Sequence, residues 1–331
     1  MIAVIPLAGA GTKLRPHTYT QPKSLIPIAG KPIIGYIIDQ LREVGVKDFV
    51  FVIGYLGDKI REYIDESYPN INKQYVVQLE REGLGHAVWL TKDVIAPNED
   101  IIIILGDTIM DINLKKIIES PNSLLGVKKV EDPRLFGVAE FDENNVITHL
   151  SEKPRIPMSN MALVGLYKIK NSSILFNALD YNIKNNIRTH NEFFLTDGLQ
   201  RMLENGEKFI AEKIENWYDC GQKEVLLATN KMILKKYALD QSKHLGLENS
   251  IIVEPVFIGK NAIVKNSIIG PNVTIGESAV IEYTIARNSI IGNYTRLKEV
   301  VLSSSLIGSD SVIHGSKQSL SIGDNTELDL R

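Results

Sequence analysis

The chain has 331 residues, of which 44% are hydrophobic and 23% charged, and its formal net charge is −3. Such a length suits about two domains, and the mixture excludes a disordered chain, a coiled coil and a collagen-like fibre. The negative balance argues against general nucleic-acid binding, which usually needs a basic surface, although a few placed cations can still hold a small anion. The single cysteine, Cys220, excludes an intrachain disulfide and fits a reducing compartment. The longest aliphatic run, Ile101–Leu105, is far short of the ~20 residues of a membrane helix. The N-terminus lacks the basic segment and long apolar core of a signal peptide. A cytoplasmic protein with no membrane partner is expected.

In chain order, Ile2–Leu7 reads as a buried strand. Ile33–Val44 has helical spacing through Ile33, Ile34, Ile37, Ile38 and Leu41. Asp48–Ile53 reads as a strand, Asp58–Ser67 as a helix, Tyr75–Leu79 as a strand, Gly85–Val94 as a helix and Asp100–Leu105 as a fully apolar strand. This alternation predicts an α/β fold, a parallel or mixed sheet with helices on both faces. Ligands of such sheets sit beyond the carboxyl ends of the strands, so the loops after Leu7 and Leu105 are the candidate site.

Near residue 250 the texture changes. Apolar residues recur at Ile258, Val264, Ile269, Ile275, Ile281, Ala286, Ile291, Leu297, Leu302, Ile307, Ile313, Ile322 and Leu328, mostly five or six residues apart. Gly follows the apolar position at 259, 270, 276, 292, 308 and 323. A short strand plus a tight corner repeats this way, which predicts a hexapeptide-repeat parallel β-helix of about four coils. The pattern does not fix its hand. The polar, Lys-rich stretch Asn230–Asn249 reads as helical linker. The expected division is a first domain over 1–235, a linker over 236–250 and the β-helix over 251–331.

Chemistry concentrates in two early segments. Leu7-Ala8-Gly9-Ala10-Gly11-Thr12-Lys13-Leu14-Arg15-Pro16 follows the first strand, and its glycines can bring backbone N–H groups close to phosphate oxygens. It is neither a dinucleotide fingerprint, since Leu14 stands where the third Gly belongs, nor a P-loop, since no Gly-Lys pair is followed by Ser or Thr. Gln21-Pro22-Lys23-Ser24-Leu25-Ile26-Pro27-Ile28-Ala29-Gly30-Lys31-Pro32 comes next.

Together these segments resemble the signature of the sugar-1-phosphate nucleotidyltransferases, nearest the glucose-1-phosphate thymidylyl- and uridylyltransferases. Further segments extend the resemblance in order: Leu105-Gly106-Asp107, Phe136-Gly137-Val138-Ala139-Glu140-Phe141, Glu152-Lys153-Pro154, Val164-Gly165-Leu166-Tyr167, Leu195-Thr196-Asp197 and Trp217-Tyr218-Asp219-Cys220-Gly221. The match covers residues 1 to about 230, and longer members carry a left-handed parallel β-helix behind a Rossmann-like domain. Lys13 departs from the family's usual Arg, with the charge kept. His190 stands where thymidylyl enzymes commonly have Arg, with Arg188 close by.

The resemblance implies attack of a sugar-1-phosphate oxygen on the α-phosphorus of a pyrimidine nucleoside triphosphate, giving a nucleoside-diphosphate sugar and pyrophosphate. The nucleophile, with a second pKa near 6, is already largely dianionic at neutral pH, so no general base is needed. Bringing two polyanions together requires positioning and charge neutralisation. By resemblance, Asp107 and Asp219 hold Mg²⁺, Arg15 binds the β- and γ-phosphates, and Lys23 bridges the α-phosphate and the sugar phosphate. Lys153 holds the sugar phosphate. Glu152 and the Gly137 backbone contact sugar hydroxyls, with Val164 and Tyr167 in the same subsite. The loop Leu7, Ala8, Gly9, Ala10, Gly11, Thr12 and Lys13 cradles the triphosphate. Gln78 and Gly83 match the nucleobase-reading region. Lys13 is equally readable as a solvated surface cation.

Gly85-His86-Ala87 looks more like the uridylyl enzymes and Leu105-Gly106-Asp107 more like the thymidylyl ones, leaving dTTP and UTP both open. Glucose-1-phosphate is the expected sugar. Cys220 reads as a buried filler, and the histidines show no zinc spacing. The β-helix reads as a homo-oligomerisation platform. Two alternatives are a catalytically silent subunit of the same fold and a bifunctional enzyme whose β-helix transfers an acyl group, with His314 as its base in the long step between Ile313 and Ile322.

Overall fold

The computed structural model describes residues 1–236 and 247–316. Contacts divide the described residues into two units, one of Met1–Pro27 with Lys31–Thr229, the other of Ile28–Gly30 with those from Asn230 onward. The division falls inside the helix Lys223–Lys236.

The first unit is built on a nine-stranded mixed sheet. Ile2–Pro6 lies at its centre, parallel to Asp48–Ile53 on one side and Ile101–Ile104 on the other, and Asn72–Val77 extends the parallel part. The central strands are apolar throughout because both their faces are covered; all four residues of Ile101–Ile104 are buried. The sheet then turns antiparallel. Met161–Ile169 pairs with Ile101–Ile104 and with Ser123–Lys129, and Gly137–Phe141 forms a hairpin with Ile147–Glu152. Phe209–Lys213 closes the sheet, parallel to Ser123–Lys129.

The helices follow the apolar spacing. Ile33–Glu43 buries Ile33, Ile34, Ile37, Ile38 and Leu41 on the sheet side. The strand expected over Tyr75–Leu79 instead runs Asn72–Val77. It is an edge strand, and polar Asn72 and Gln74 can occupy it because one side meets solvent. The helix expected over Gly85–Val94 is α-helical over Leu84–Trp89 and tightens into a 3₁₀ turn over Leu90–Asp93.

The second unit contains three parallel sheets, the three faces of a left-handed β-helix. One face stacks Leu247–Glu248, Ile263–Lys265, Val280–Glu282, Arg296–Lys298 and Val312–His314. Its first strand lies within the segment expected to be linker. The pairing Val264↔Ile281 and then Ile281↔Leu297 sets coils of seventeen and sixteen residues. Val264, Ile269, Ile275, Ile281, Ala286, Ile291 and Leu297 form its buried core, with Ile258, Leu302 and Ile313 packed against it. Ile322, Leu328 and the end of the long step after Ile313 lie outside the described residues.

The corners differ from the sequence expectation. Asn261, Asn266, Asn272 and Asn288 take the left-handed φ there, as do Ser278, Tyr283, Tyr294, Glu299, Ser304 and Asp310. Asn tolerates it better than most residues, and the others are held there by the stacked coils. The glycines serve close stacking: a side-chain carbon on Gly276 would stand 2.5 Å from the Asn293 nitrogen of the next coil. Ala29 joins this unit by donating its N–H to Asn230 Oδ1 at 2.8 Å, while Thr274 donates to the same oxygen at 2.6 Å.

Candidate active site

Loops at the carboxyl ends of the central strands surround a cleft of about 400 Å³ in the first unit. Leu7, Ala8, Gly9 and Gly11 form one wall. Gly11 has φ +61, and a side chain there would press on Thr18 Cγ2 at 2.9 Å and Lys23 Cβ at 3.1 Å. Thr18 Oγ1 fixes the turn by donating to Gly11 O at 2.8 Å. Nothing stands within 4 Å of the side-chain position of Gly9, so its backbone is open to a ligand.

Asp107 follows the apolar strand Ile101–Ile104 and enters the cleft beside this loop. Asp219 lies more than a hundred residues later, and a two-stranded ribbon brings it alongside. Asn216–Asp219 runs antiparallel to Thr108–Asp111 with Asp219 opposite Thr108, and Cys220 N donates to Asp107 O at 3.0 Å. Lys23, set by the 3₁₀ turn Lys23–Leu25, reaches both carboxylates: Nζ is 2.5 Å from Asp107 Oδ2 and 3.3 Å from Asp219 Oδ1. Burial pushes the Lys23 ammonium down, but the two carboxylates outweigh it and leave its pKa raised. Burial pushes the Cys220 thiol up to about 12, which removes it as a nucleophile at neutral pH.

Gln78 and Gly83 line the same cleft, with Arg81 and Glu192, which the sequence reading did not single out. Arg81 lies between Gln78 and Gly83 in the sequence, so its place among the cleft residues follows from the same loop. Lys13 and Arg15 are exposed. The Arg15 guanidinium lies over the Tyr19 ring, 5.0 Å from its centroid, and Ala10, Thr12, Lys13 and Arg15 do not contribute to the cleft wall.

The remaining candidates form a second cluster. Glu152 accepts from Thr196 Oγ1 at 2.6 Å, and a side-chain carbon on Gly137 would stand 3.0 Å from Glu152 Oε2. Lys153 has φ +43; its Nζ lies 3.8 Å from Glu152 Oε1 and 4.5 Å from the Phe194 ring centroid. Asp197, missed as a candidate within its quoted motif, has Oδ2 buried with no hydrogen-bond partner among the described residues. Val164 and Tyr167 are core side chains, 1% and 4% exposed, so their side chains are not available to a sugar. Their strand is covered on both faces, which a short motif cannot reveal. Arg188, flagged beside His190, is paired with Glu82 at 2.7 Å.

Burial raises the Glu152 pKa against the opposing hydrogen bond from Thr196 and the charge of Lys153. A carboxyl raised in the folded state holds its proton there longer than in the unfolded chain, so stability falls as pH rises from the ordinary Glu value, near 4.3, through the folded one. Glu152→Gln should therefore melt higher than wild type above that window and lose part of the acid-range slope. Thermal melts across pH 4 to about 8 check this; identical profiles refute it.

Residues 2–236 match the model of the nucleotidyl transferase family. The chain belongs to that family. This nucleotidyltransferase is 32% identical over 247 residues to the low-salt glycan biosynthesis nucleotidyltransferase Agl11 of Haloferax volcanii, covering 72% of the chain and 68% of that protein. It is 36% identical over 269 residues to the bifunctional protein GlmU of Methanococcus maripaludis, covering 80% of the chain and 62% of that relative's length. Among solved structures, a UDP-glucose pyrophosphorylase in complex with UDP-glucose aligns with a TM-score of 0.62 and 26% identity, over 71% of this chain and 98% of that one.

Proposed function

We propose that this nucleotidyltransferase joins a pyrimidine nucleoside triphosphate, UTP or dTTP, to a sugar-1-phosphate, with glucose-1-phosphate the favoured sugar, and releases pyrophosphate. The convergence of Lys23, Asp107 and Asp219 beside an open glycine loop carries this reading. The donor set fits Mg²⁺: two hard carboxylates lie close enough for one ammonium to touch both, and phosphate oxygens and water would complete the shell. No cluster of three or more ligating side chains exists among the described residues, so the ion would be shared with the nucleotide. When bound, Mg²⁺ supplies charge neutralisation at the reacting phosphates.

The chain's own residues do the rest. The Gly9–Gly11 backbone approaches the triphosphate, and Arg15 and Lys13 extend the positive edge. Lys23 is poised to bridge the α-phosphate and the incoming sugar phosphate. A sugar-phosphate oxygen forms the new bond to the α-phosphorus as the bond to pyrophosphate breaks, and no proton has to move. Lys153 faces the sugar phosphate, while Glu152 and the Gly137 backbone face sugar hydroxyls. No helix among the described residues is long and apolar enough to cross a membrane, and a triphosphate-consuming enzyme suits the cytoplasm. The coil serves self-association on this reading, supported by the exposed row Ile251, Ile268, Ile285 and Val301, in register on one face.

A pyrophosphate-release screen of UTP, dTTP, CTP, ATP and GTP against a panel of sugar-1-phosphates tests the proposal. Mg²⁺-dependent release with UTP or dTTP is expected, and release from no pair refutes it. Acetyl-CoA added to the same mixtures addresses the acyl-transfer alternative. His314 lies on the strand Val312–His314, and its exposed side chain has no assigned role in nucleotidyl transfer.

A further inference from the structure

Gln78 is 5% exposed yet lines the cleft, and its amide is held from one side. Its nitrogen lies 3.1 Å from Gly83 O and 3.1 Å from His86 Nδ1. A backbone carbonyl can only accept, so the amide turns its nitrogen toward Gly83. That nitrogen carries two protons, and His86 Nδ1 accepts the second. His86 must then carry its own proton on Nε2, the atom 3.7 Å from Glu82 Oε2. Glu82 is anchored in turn by Arg188 at 2.7 Å, whose guanidinium lies 3.9 Å from the Phe193 ring centroid.

We infer that His86 is a positioning residue for nucleobase selectivity: it fixes the Gln78 amide so that only the carbonyl oxygen is left to offer a ligand. The inference rests on the reading of this cleft as the nucleotide site. Uracil and thymine carry a donor at N3, whereas cytosine carries a bare acceptor there. A fixed carbonyl oxygen gains a hydrogen bond from the first pair and meets a second acceptor in cytosine, leaving two polar atoms unpaired. Uracil and thymine share this edge, so the device disfavours cytosine without separating UTP from dTTP. That agrees with a sequence carrying marks of both enzyme classes.

Neutral His86 is what its surroundings favour. Burial lowers its pKa, Arg188 lowers it further, Glu82 and Glu80 oppose this, and the Trp89 ring stacks 5.8 Å away. Protonation would turn Nδ1 into a donor, and the amide would have to present its oxygen to His86 and its nitrogen to the cleft. Selectivity should therefore hold at neutral pH and fall on acidification below the ordinary His value near 6.5.

The test is the kcat/KM ratio of UTP over CTP, and of dTTP over dCTP, in wild type, His86→Leu and His86→Asn. Leu removes the acceptor and should lower the ratio about tenfold, chiefly by raising KM for UTP with kcat kept, because the reacting phosphates are untouched. Asn places its Oδ1 where Nδ1 stands and should retain the ratio. A Leu variant with the wild-type ratio, or Asn and Leu falling alike, overturns the inference. Should the Leu variant fail to fold, ¹⁵N NMR of His86 in the wild type decides: a proton on Nε2 supports the inference and one on Nδ1 overturns it. A wild type that releases no pyrophosphate from any triphosphate refutes the nucleotide reading instead, while the tautomer still reports on the amide.

Discussion

An Asp107→Asn enzyme should fold like the wild type and turn over about a hundred to a thousand times more slowly. Asn keeps the shape of the side chain and one acceptor, and the backbone contact from Cys220 N to Asp107 O is unaffected. Only the charge is lost. The Asp107 side chain is 36% exposed, so its ion pair with Lys23 is screened and contributes at most about 1 kcal/mol to stability. The rate is more sensitive, because the reaction gathers two phosphate esters that repel each other, and the carboxylate pair is what would recruit a divalent cation between them. Asp219→Asn should behave alike. If both carboxylates hold the same ion, as proposed, the double variant should be little slower than either single one. Pyrophosphate-release kinetics with a parallel melt check this, and near-wild-type rates in both single variants refute the metal assignment.

The sequence revealed elements whose signal is local and missed those made by long-range pairing. Ile101–Ile104 was readable because a strand covered on both faces is apolar at every position. The coil was readable because its inward row recurs with each corner. Asp107 beside Asp219 was legible only through the family resemblance, since the residues themselves read as two separate motifs. The ribbon that joins them uses four-residue strands, too short for a period to register. The Gln78–His86–Glu82–Arg188 chain was hidden for a similar reason: its last link spans a hundred residues and depends on which way an amide faces. Val164 and Tyr167 show the opposite error, since a motif can mark a segment as near a site without saying which of its atoms point there. The left-handed corners of the coil were not legible, because Asn, the side chain best suited to them, alternates there with Ser, Tyr, Glu and Asp.

Replacing Lys23 by Met should abolish most activity, by about a thousandfold, and should change how the protein responds to magnesium even without substrate. The Lys23 side chain is 13% exposed and bridges two carboxylates. Met fills the same space without the charge and leaves those carboxylates facing each other. Their own exposure, 36% and 46%, limits the loss of stability to about 1–2 kcal/mol. The sign follows from the raised pKa: the ammonium's contribution is fully present below the ordinary Lys value near 10.4 and disappears as pH rises through the folded one. The gap in melting temperature between wild type and variant should accordingly stay constant from about pH 6 to 9 and close in alkali. In the wild type an added divalent cation has to displace the ammonium from the carboxylate pair; in Lys23→Met it meets the pair bare. Millimolar Mg²⁺ should therefore raise the melting temperature of the variant more than that of the wild type. Equal shifts in the two proteins would show that Lys23 and the cation do not share one place, and the assignment of Asp107 and Asp219 as its ligands would fall with it.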